Sequence, residues 1–266
     1  FRLNGMFAFA LWDRTERNLF LARDRIGIKP LYYGYSGGTF LFSSELKAMI
    51  AHPDWQGEID RNALALYLRH NCVPAPWSIY KGIYKLSPAN YVVVREKGSD
   101  ISALQCYWDL RSIAEQGAPQ TQGNPYEFID ELECLLRDAV KKRMVADVPL
   151  GTFLSGGYDS TTVTALMQAQ SDRPVRTFSI GVPNENIDEA QYAKSVAKYL
   201  GTEHTELYVT PEEAMEVVPR LPAIWDEPFS DSSQIPTFLV SQLARKHVTV
   251  SLSGDGGDEL FAGYNR

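Results

Sequence analysis

The sequence predicts an α/β fold joined to a mostly-β one, two unlike halves within 266 residues. Three observations carry this expectation. The first hundred or so residues form short, aromatic-rich runs separated by turn residues. The second half alternates β-like runs with amphipathic stretches. Between them, the composition of residues 111–125 shifts to Gln, Gly, Pro, Ser and Thr with little apolar content, which marks a linker. The expected domains are therefore 1–110 and 126–266 on either side of a 111–125 linker.

In the first half, residues 7–13, 18–23, 30–35 and 39–43 read as strands, punctuated by Asp13-Arg14-Thr15-Glu16, residues 24–27 and Ser36-Gly37-Gly38. Two short helices follow, 45–50 with Ser44 as N-cap and 61–69 with Asp60 as N-cap. Strand signals return at 91–95 and 104–108. In the second half, 127–145 is an amphipathic helix with Phe128, Leu132, Leu135, Leu136, Ala139 and Val140 on one stripe. The alternation continues with strands at 148–154, 176–182, 204–209 and 248–252. Helices are expected at 160–170, 188–200 and 236–246, the second closed by Gly201. Strand–helix–strand order of this kind implies a parallel sheet.

Composition removes several functional classes. Lys and Arg number 26 against 33 Asp and Glu, a formal charge of −7, which disfavours broad attraction to nucleic acid. The longest apolar run, residues 6–12, is far too short to span a membrane, and the opening residues do not resemble a signal peptide. Cys72, Cys106 and Cys134 are odd in number and widely spaced, against a disulfide framework or a zinc site. They are expected to be small packing residues in a cytoplasmic protein. The chain starts without Met and stops straight after a glycine-rich cluster, so a piece of a longer protein is expected.

The chemistry concentrates in two segments. Leu154-Ser155-Gly156-Gly157-Tyr158-Asp159-Ser160 lies between an expected strand and an expected helix. There, helix-end N–H groups face an anion, and glycines let the backbone approach phosphate oxygens. Ser155 and Ser160 add hydroxyl donors. Asp159 would repel a phosphate unless Mg²⁺ lay between them. Neither G-x-x-x-x-G-K-[ST] nor G-x-G-x-x-G occurs, so this is not an ordinary P-loop or dinucleotide motif. On spacing alone a solvated turn explains the segment equally well. The second segment, Ser253-Gly254-Asp255-Gly256-Gly257-Asp258-Glu259, also follows an expected strand. If the two strands are parallel neighbours, both loops leave the same sheet edge, and Asp159 and Asp258 can share one cation.

These loops resemble the pyrophosphate site of the PP-loop ATP-pyrophosphatases, and more narrowly the glutamine-hydrolysing asparagine synthase family. Residues 147–154, Phe178-Ser179-Ile180-Gly181 and residues 252–264 support the match. In the first half, Asn4-Gly5-Met6-Phe7-Ala8-Phe9-Ala10, residues 22–33 and residues 43–48 are similar to that family's glutaminase domain. The implied architecture is a partial Ntn-hydrolase-like glutaminase domain followed by a PP-loop domain, like the adenine nucleotide alpha hydrolases. The implied activity is ATP-dependent amide formation: aspartate is activated as β-aspartyl-AMP, pyrophosphate leaves, and ammonia from glutamine displaces AMP.

By the same resemblance, Ser155, Gly156, Gly157, Asp159 and Ser160 hold the pyrophosphate, and Asp159 and Asp258 ligate Mg²⁺. Leu154, Ile180, Ser253 and Gly254 contact ATP, with core packing as the plainer account of Leu154 and Ile180. Asp255 lies near the acyl-adenylate, and with Asp159 and Asp258 makes up the expected catalytic carboxylates. Asp24 takes the α-amino group of glutamine, or else is a turn aspartate paired with Arg23 or Arg25. Residues 225–228 and 230–233 border the acceptor pocket or cap the helix near Pro236. Tyr158 points to the core or the adenine side. His52, His70, His204 and His247 are structural or exposed. The family's N-terminal cysteine nucleophile and its catalytic lysine have no counterpart here, so glutamine hydrolysis by this stretch alone is not expected. Other readings are a related enzyme acting on another carboxylate and an inactive nucleotide-binding module. The expected partners are small molecules, with a homodimer admissible and neither nucleic acid nor membrane expected.

Overall fold

The computed structural model describes residues 3–95, 101–116, 124–182, 189–261 and 263–264. The chain forms two compact units: Phe1–Thr121 with Leu221–Asp231, and Gln122–Arg220 with Ser232–Arg266. The short segment 221–231, which the sequence reading placed in the second domain, thus belongs to the first unit.

The first unit is mostly β. Its elements are β1 (Ala8–Asp13), β2 (Asn18–Arg23), β3 (Tyr32–Ser36), β4 (Thr39–Ser43), α1 (Leu46–Ile50) and α2 (Arg61–His70). After these come β5 (Ile83–Lys85), β6 (Asn90–Arg95), β7 (Gln105–Cys106) and α3 (Leu110–Glu115). One sheet runs β1-β2-β6-β7 and the other β4-β3-β5, antiparallel throughout. Leu21, Leu31, Tyr33, Leu86 and Val92 close one cluster, and Leu41, Leu46, Met49, Ala63 and Ile83 belong to another.

Local chemistry explains most ends. Asp60 caps α2 by accepting from the amides of Asn62 (2.8 Å) and Ala63 (3.5 Å). Asn71 closes that helix in the left-handed region. α1 departs from expectation: Glu45, not Ser44, occupies the N-cap position and makes no cap bond. The carboxylate of Asp226, 180 residues away, accepts from the Leu46 amide instead, at 2.5 Å. α3 occupies the start of the expected linker because Asp109 accepts from the amides of Arg111 and Ser112; residues 117–123 lie outside the described residues. All three cysteines are exposed, so they are not packing residues; Cys106 lies on the two-residue β7, both of whose residues are exposed.

The second unit holds α4 (Pro125–Arg143), β8 (Leu150–Phe153), α5 (Tyr158–Gln168), β9 (Arg176–Gly181), α6 (Glu189–Leu200), β10 (Glu203–Tyr208), α7 (Pro211–Met215) and a 3₁₀ turn (Val218–Arg220). Past α8 (Leu221–Ile224), in the segment given to the first unit, it resumes with α9 (Gln234–Arg245), β11 (Val250–Leu252) and α10 (Gly257–Phe261). Asn124 caps α4, and Thr210 with Glu213 forms a reciprocal capping box at α7. Residue 188, the expected start of α6, lies outside the described residues, and Gly201 ends that helix at φ +73°. Of the predicted α4 stripe, Val140 is buried and Leu136 half-buried against Leu166 and Met167, whereas Phe128, Leu132 and Leu135 are exposed.

The sheet is parallel, in the order β10-β9-β8-β11. Helix α6 lies on β9 and β10, and α9 on β9. Phe178 of β9 packs with Leu243, Ala244 and Val248. Its neighbours Thr177 and Ser179, which alternate to the opposite face, bond instead to the His204 ring, at 2.8 and 3.2 Å. The chain lays β8, β9 and β10 side by side in one direction, then returns to place β11 on the other side of β8. That reversal is a topological switch point, where the carboxyl ends of neighbouring strands open a crevice for ligands.

Candidate functional site

β8 and β11 are parallel neighbours, with Val250 opposite Leu150 and Leu252 opposite Thr152. The two loops singled out in the sequence therefore leave the same sheet edge, on either side of the switch point. Each runs from a strand directly into a helix, α5 and α10.

The first loop turns through Gly156 at φ +84°, a conformation that favours glycine. A Cβ at Gly156 would stand 2.7 Å from Tyr192 Cβ and 2.8 Å from the Ala193 amide nitrogen, so this glycine lets the loop rest on α6. Ser155 and Ser160 brace the turn. Their hydroxyls lie 2.9 Å apart, the Ser155 amide donates to Ser160 Oγ at 3.2 Å, and the Gly157 amide donates to Ser155 Oγ at 3.3 Å. Ser160 is buried, and its carbonyl accepts from Thr164 Oγ1 at 2.7 Å. Gly157 occupies the N-cap of α5 without a side chain, which leaves that helix end open to an incoming anion.

The second loop presses against the first. A Cβ on Gly254 would stand 2.7 Å from the Ser160 amide nitrogen and 3.0 Å from both the carbonyl carbon and Cβ of Asp159. A Cβ on Gly257 would collide with the Asp159 carboxylate. Both glycines are thus spacers that let a backbone and a carboxylate from the first loop nest in the second. Ser253 Oγ donates to Asp255 Oδ2 at 2.8 Å, and the Gly263 amide donates to the Asp258 carbonyl at 3.2 Å. Tyr264 donates to Glu259, a bond that lowers the Glu259 carboxyl below its ordinary range. Asp159 and Asp258 stand in the first turns of α5 and α10.

Not every expected site residue faces this crevice. Leu154 is 1% exposed among Ala193 and Ala197, and its amide donates to the Phe178 carbonyl, so it is a core residue at a strand end. Ile180 is half-buried on β9. Tyr158 is 94% exposed at the first residue of α5 and points neither to the core nor inward. Ser233 stands at the N-cap of α9 without a side-chain cap bond, and Asp226 and Glu227 are engaged within the first unit.

Asp24 is 1% exposed. Its carboxylate accepts from the amides of Ile28 (2.9 Å), Lys29 (2.9 Å) and Phe7 (3.3 Å), tying the turn after β2. Neither Arg23 nor solvent satisfies it: the Arg23 guanidinium donates to the carbonyls of Gly27, Lys29 and Leu86. The carboxylate therefore braces this turn through backbone amides and not through an ion pair with Arg23. Among the residues overlooked in the sequence, Gly257 had a visible signal within the second glycine cluster. Tyr192 and Ala193, the platform under Gly156, had none.

Residues 131–266 match the asparagine synthase family, and residues 1–108 match the glutamine amidotransferase domain. The chain belongs to the asparagine synthase family. It is 41% identical, over 98% of its length, to a protein named putative asparagine synthetase (glutamine-hydrolyzing) 2 of Methanocaldococcus jannaschii. It is 36% identical over 99% to asparagine synthetase (glutamine-hydrolyzing) 1 of Bacillus subtilis, and 38% over 99% to a putative asparagine synthetase of Mycobacterium tuberculosis. The chain spans 50% of the first relative's length and 40% of the other two. As in the sequence reading, this member of the asparagine synthase family joins a mostly-β unit to a parallel-sheet one. Among the described residues, no helix is long and apolar enough to cross a membrane.

Proposed function

We propose that the intact protein makes asparagine from aspartate and ATP, with ammonia drawn from glutamine; its relatives are named as glutamine-hydrolyzing asparagine synthetases. The observation that carries this reading is the nesting of the Ser253–Asp258 loop on the Ser155–Ser160 loop at the switch point of the sheet. An ATP whose β- and γ-phosphates lie on the open end of α5 meets the amide of Gly157 and the hydroxyls of Ser155 and Ser160. The β-carboxylate of aspartate then attacks the α-phosphorus, pyrophosphate departs with both bridging electrons, and β-aspartyl-AMP remains. Ammonia attacks the acyl carbon, AMP leaves with the electrons of the acyl–oxygen bond, and the nitrogen sheds one proton as the amide of asparagine forms. Donors fixed in advance on the departing pyrophosphate stabilise the charge as it develops.

Mg²⁺ suits this donor set. Among the described residues no three acidic, histidine or cysteine side chains form a cage, and magnesium is typically bound by one or two carboxylates plus substrate phosphates. Asp159 and Asp258 are the carboxylates that would hold it, and the cation would neutralise phosphate charge. Asp255, tied to Ser253, lies beside the acyl-adenylate. In this reading the second unit is a PP-loop domain, like the adenine nucleotide alpha hydrolases, and the first is part of an Ntn-hydrolase-like glutaminase. Asp159→Ala should lower pyrophosphate release, with aspartate and ammonia supplied, by about a hundredfold or more, since a charge-neutralising cation contributes several kcal/mol. Pyrophosphate release at the parental rate in that variant would overturn the assignment.

A further inference from the structure

The segment Leu221–Asp231 is drawn from the middle of the second unit's sequence yet belongs to the first. Two adjacent carboxylates hold it there. Asp226 accepts from the Leu46 amide at 2.5 Å and pairs with Lys47 Nζ at 3.4 Å, supplying the cap bond that Glu45 at the N-cap of α1 does not make. Glu227 accepts from the Ile79 amide at 2.7 Å and from Tyr32 Oη at 3.3 Å, and pairs with Lys85 Nζ at 2.6 Å. The Lys85 and Glu227 side chains are only 18% and 10% exposed, so this pair is shielded from solvent in a way surface pairs are not. Burial first, then the charges of Glu227 and Asp226, raise the Tyr32 hydroxyl well above its ordinary pKa and keep it a donor. The Ser230 amide donates to the Asn71 carbonyl at 2.7 Å, and Tyr67 Oη lies 3.0 Å from Ser230 Oγ.

The segment is also closed on itself. Trp225 and Phe229 meet edge to face, with centroids 5.1 Å apart. Where the chain leaves and rejoins the second unit, the Arg220 guanidinium lies over the Phe238 ring at 4.6 Å. From there α9 leads without another helix or strand into β11, whose end carries Ser253–Asp258. In sequence, the anchored segment is thus followed by α9 and β11 and then by the second site loop.

We propose that Asp226 and Glu227 form a carboxylate latch by which the amidotransferase unit holds the polypeptide leading into α9. The latch sets how well glutamine, as opposed to free ammonia, drives ATP cleavage. The second statement rests on the proposed function; the first does not. Neither carboxylate touches the reacting atoms, so both are positioning residues.

The test uses the intact protein and measures hydrogen exchange at the amides of Leu46, Ile79 and Ser230. Removing one charge of a shielded pair should speed exchange at Ile79 and Ser230 by about tenfold or more in Glu227→Gln, an isosteric change. Leu46 should follow in the double variant that adds Asp226→Asn. Lys85→Met, which keeps the stem and drops the cation, should speed the same amides as Glu227→Gln. Glu58→Gln, at the exposed Lys81 pair, should leave all of them unchanged. In parallel, the ratio of glutamine-driven to ammonia-driven pyrophosphate release should fall by about fivefold or more in Glu227→Gln while the ammonia-driven rate holds. Parental exchange at all three amides in the double variant would overturn the latch. Faster exchange with an unchanged ratio would overturn the coupling. If the parent itself releases no pyrophosphate with ammonia and aspartate, the proposed function fails, and exchange alone decides the latch.

Discussion

Replacing Gly254 by Ala tests the nesting of the two loops most directly. The added Cβ would stand 2.7 Å from the Ser160 amide nitrogen and 3.0 Å from two atoms of Asp159, one of them backbone. Non-bonded carbon contacts settle near 3.5–4.0 Å, so the second loop must retreat by roughly 0.8 Å. Ser160 is buried and its helix is anchored through Thr164, so the first loop has little room to yield. Overpacking of this kind costs about 1–3 kcal/mol, and a 1 Å misplacement in a reacting site costs about a hundredfold in rate. Gly157→Ala is the matched control. Its Cβ would find nothing nearer than Ser155 Oγ at 3.4 Å, and Gly157 has an ordinary φ of −72°. Two assays decide the matter: denaturant unfolding of each variant, and the shift in melting temperature on adding ATP with magnesium. Gly254→Ala should lose stability and most of the nucleotide-induced shift, and Gly157→Ala should lose no more stability than an alanine N-cap costs. An unchanged nucleotide response in Gly254→Ala would refute the claim that the loops act as one site.

Two further outcomes follow from groups outside the crevice. Asp24→Asn turns an amide NH₂ toward at least one backbone N–H, leaving a buried donor unsatisfied. It should destabilise the first unit by about 1–3 kcal/mol with no ligand present, read from denaturant unfolding. An unchanged midpoint would mean that the carboxylate does not hold the turn. His204, flanked by Thr177 and Ser179, has its pKa lowered chiefly by burial, with Glu206 opposing and Lys194 reinforcing the shift. Below the ordinary value of about 6.5 the unfolded chain therefore binds the proton more readily than the folded one. Stability of the second unit should fall as pH drops below that value, and His204→Gln should flatten this part of the profile. The same slope in parent and variant would place the titration elsewhere.

Periodicity and turn chemistry were enough to reveal the mostly-β half, the alternating half, and nearly every strand and long helix. Asp60, Gly201 and the strand runs 18–23 and 39–43 act through neighbours in sequence, so their effects are local. The Ser155–Ser160 loop was legible for the same reason: strand, glycine turn and helix end are consecutive in the chain. The α1 cap was not legible, because its acceptor lies 180 residues away on Asp226 and no local pattern marks it. Nor was the burial of Asp24, whose surroundings at Phe7 and Ala89 are brought together by strand pairing. The exposure of Cys72, Cys106, Cys134 and Tyr158 also depends on which surfaces the fold covers. The sequence by itself determined the two glycine loops and the place of each between a strand and a helix. Only the tertiary structure decided that they meet: adjacency of β8 and β11 is a pairing between strands about a hundred residues apart, and the clearance at Gly254 exists only once that pairing has formed.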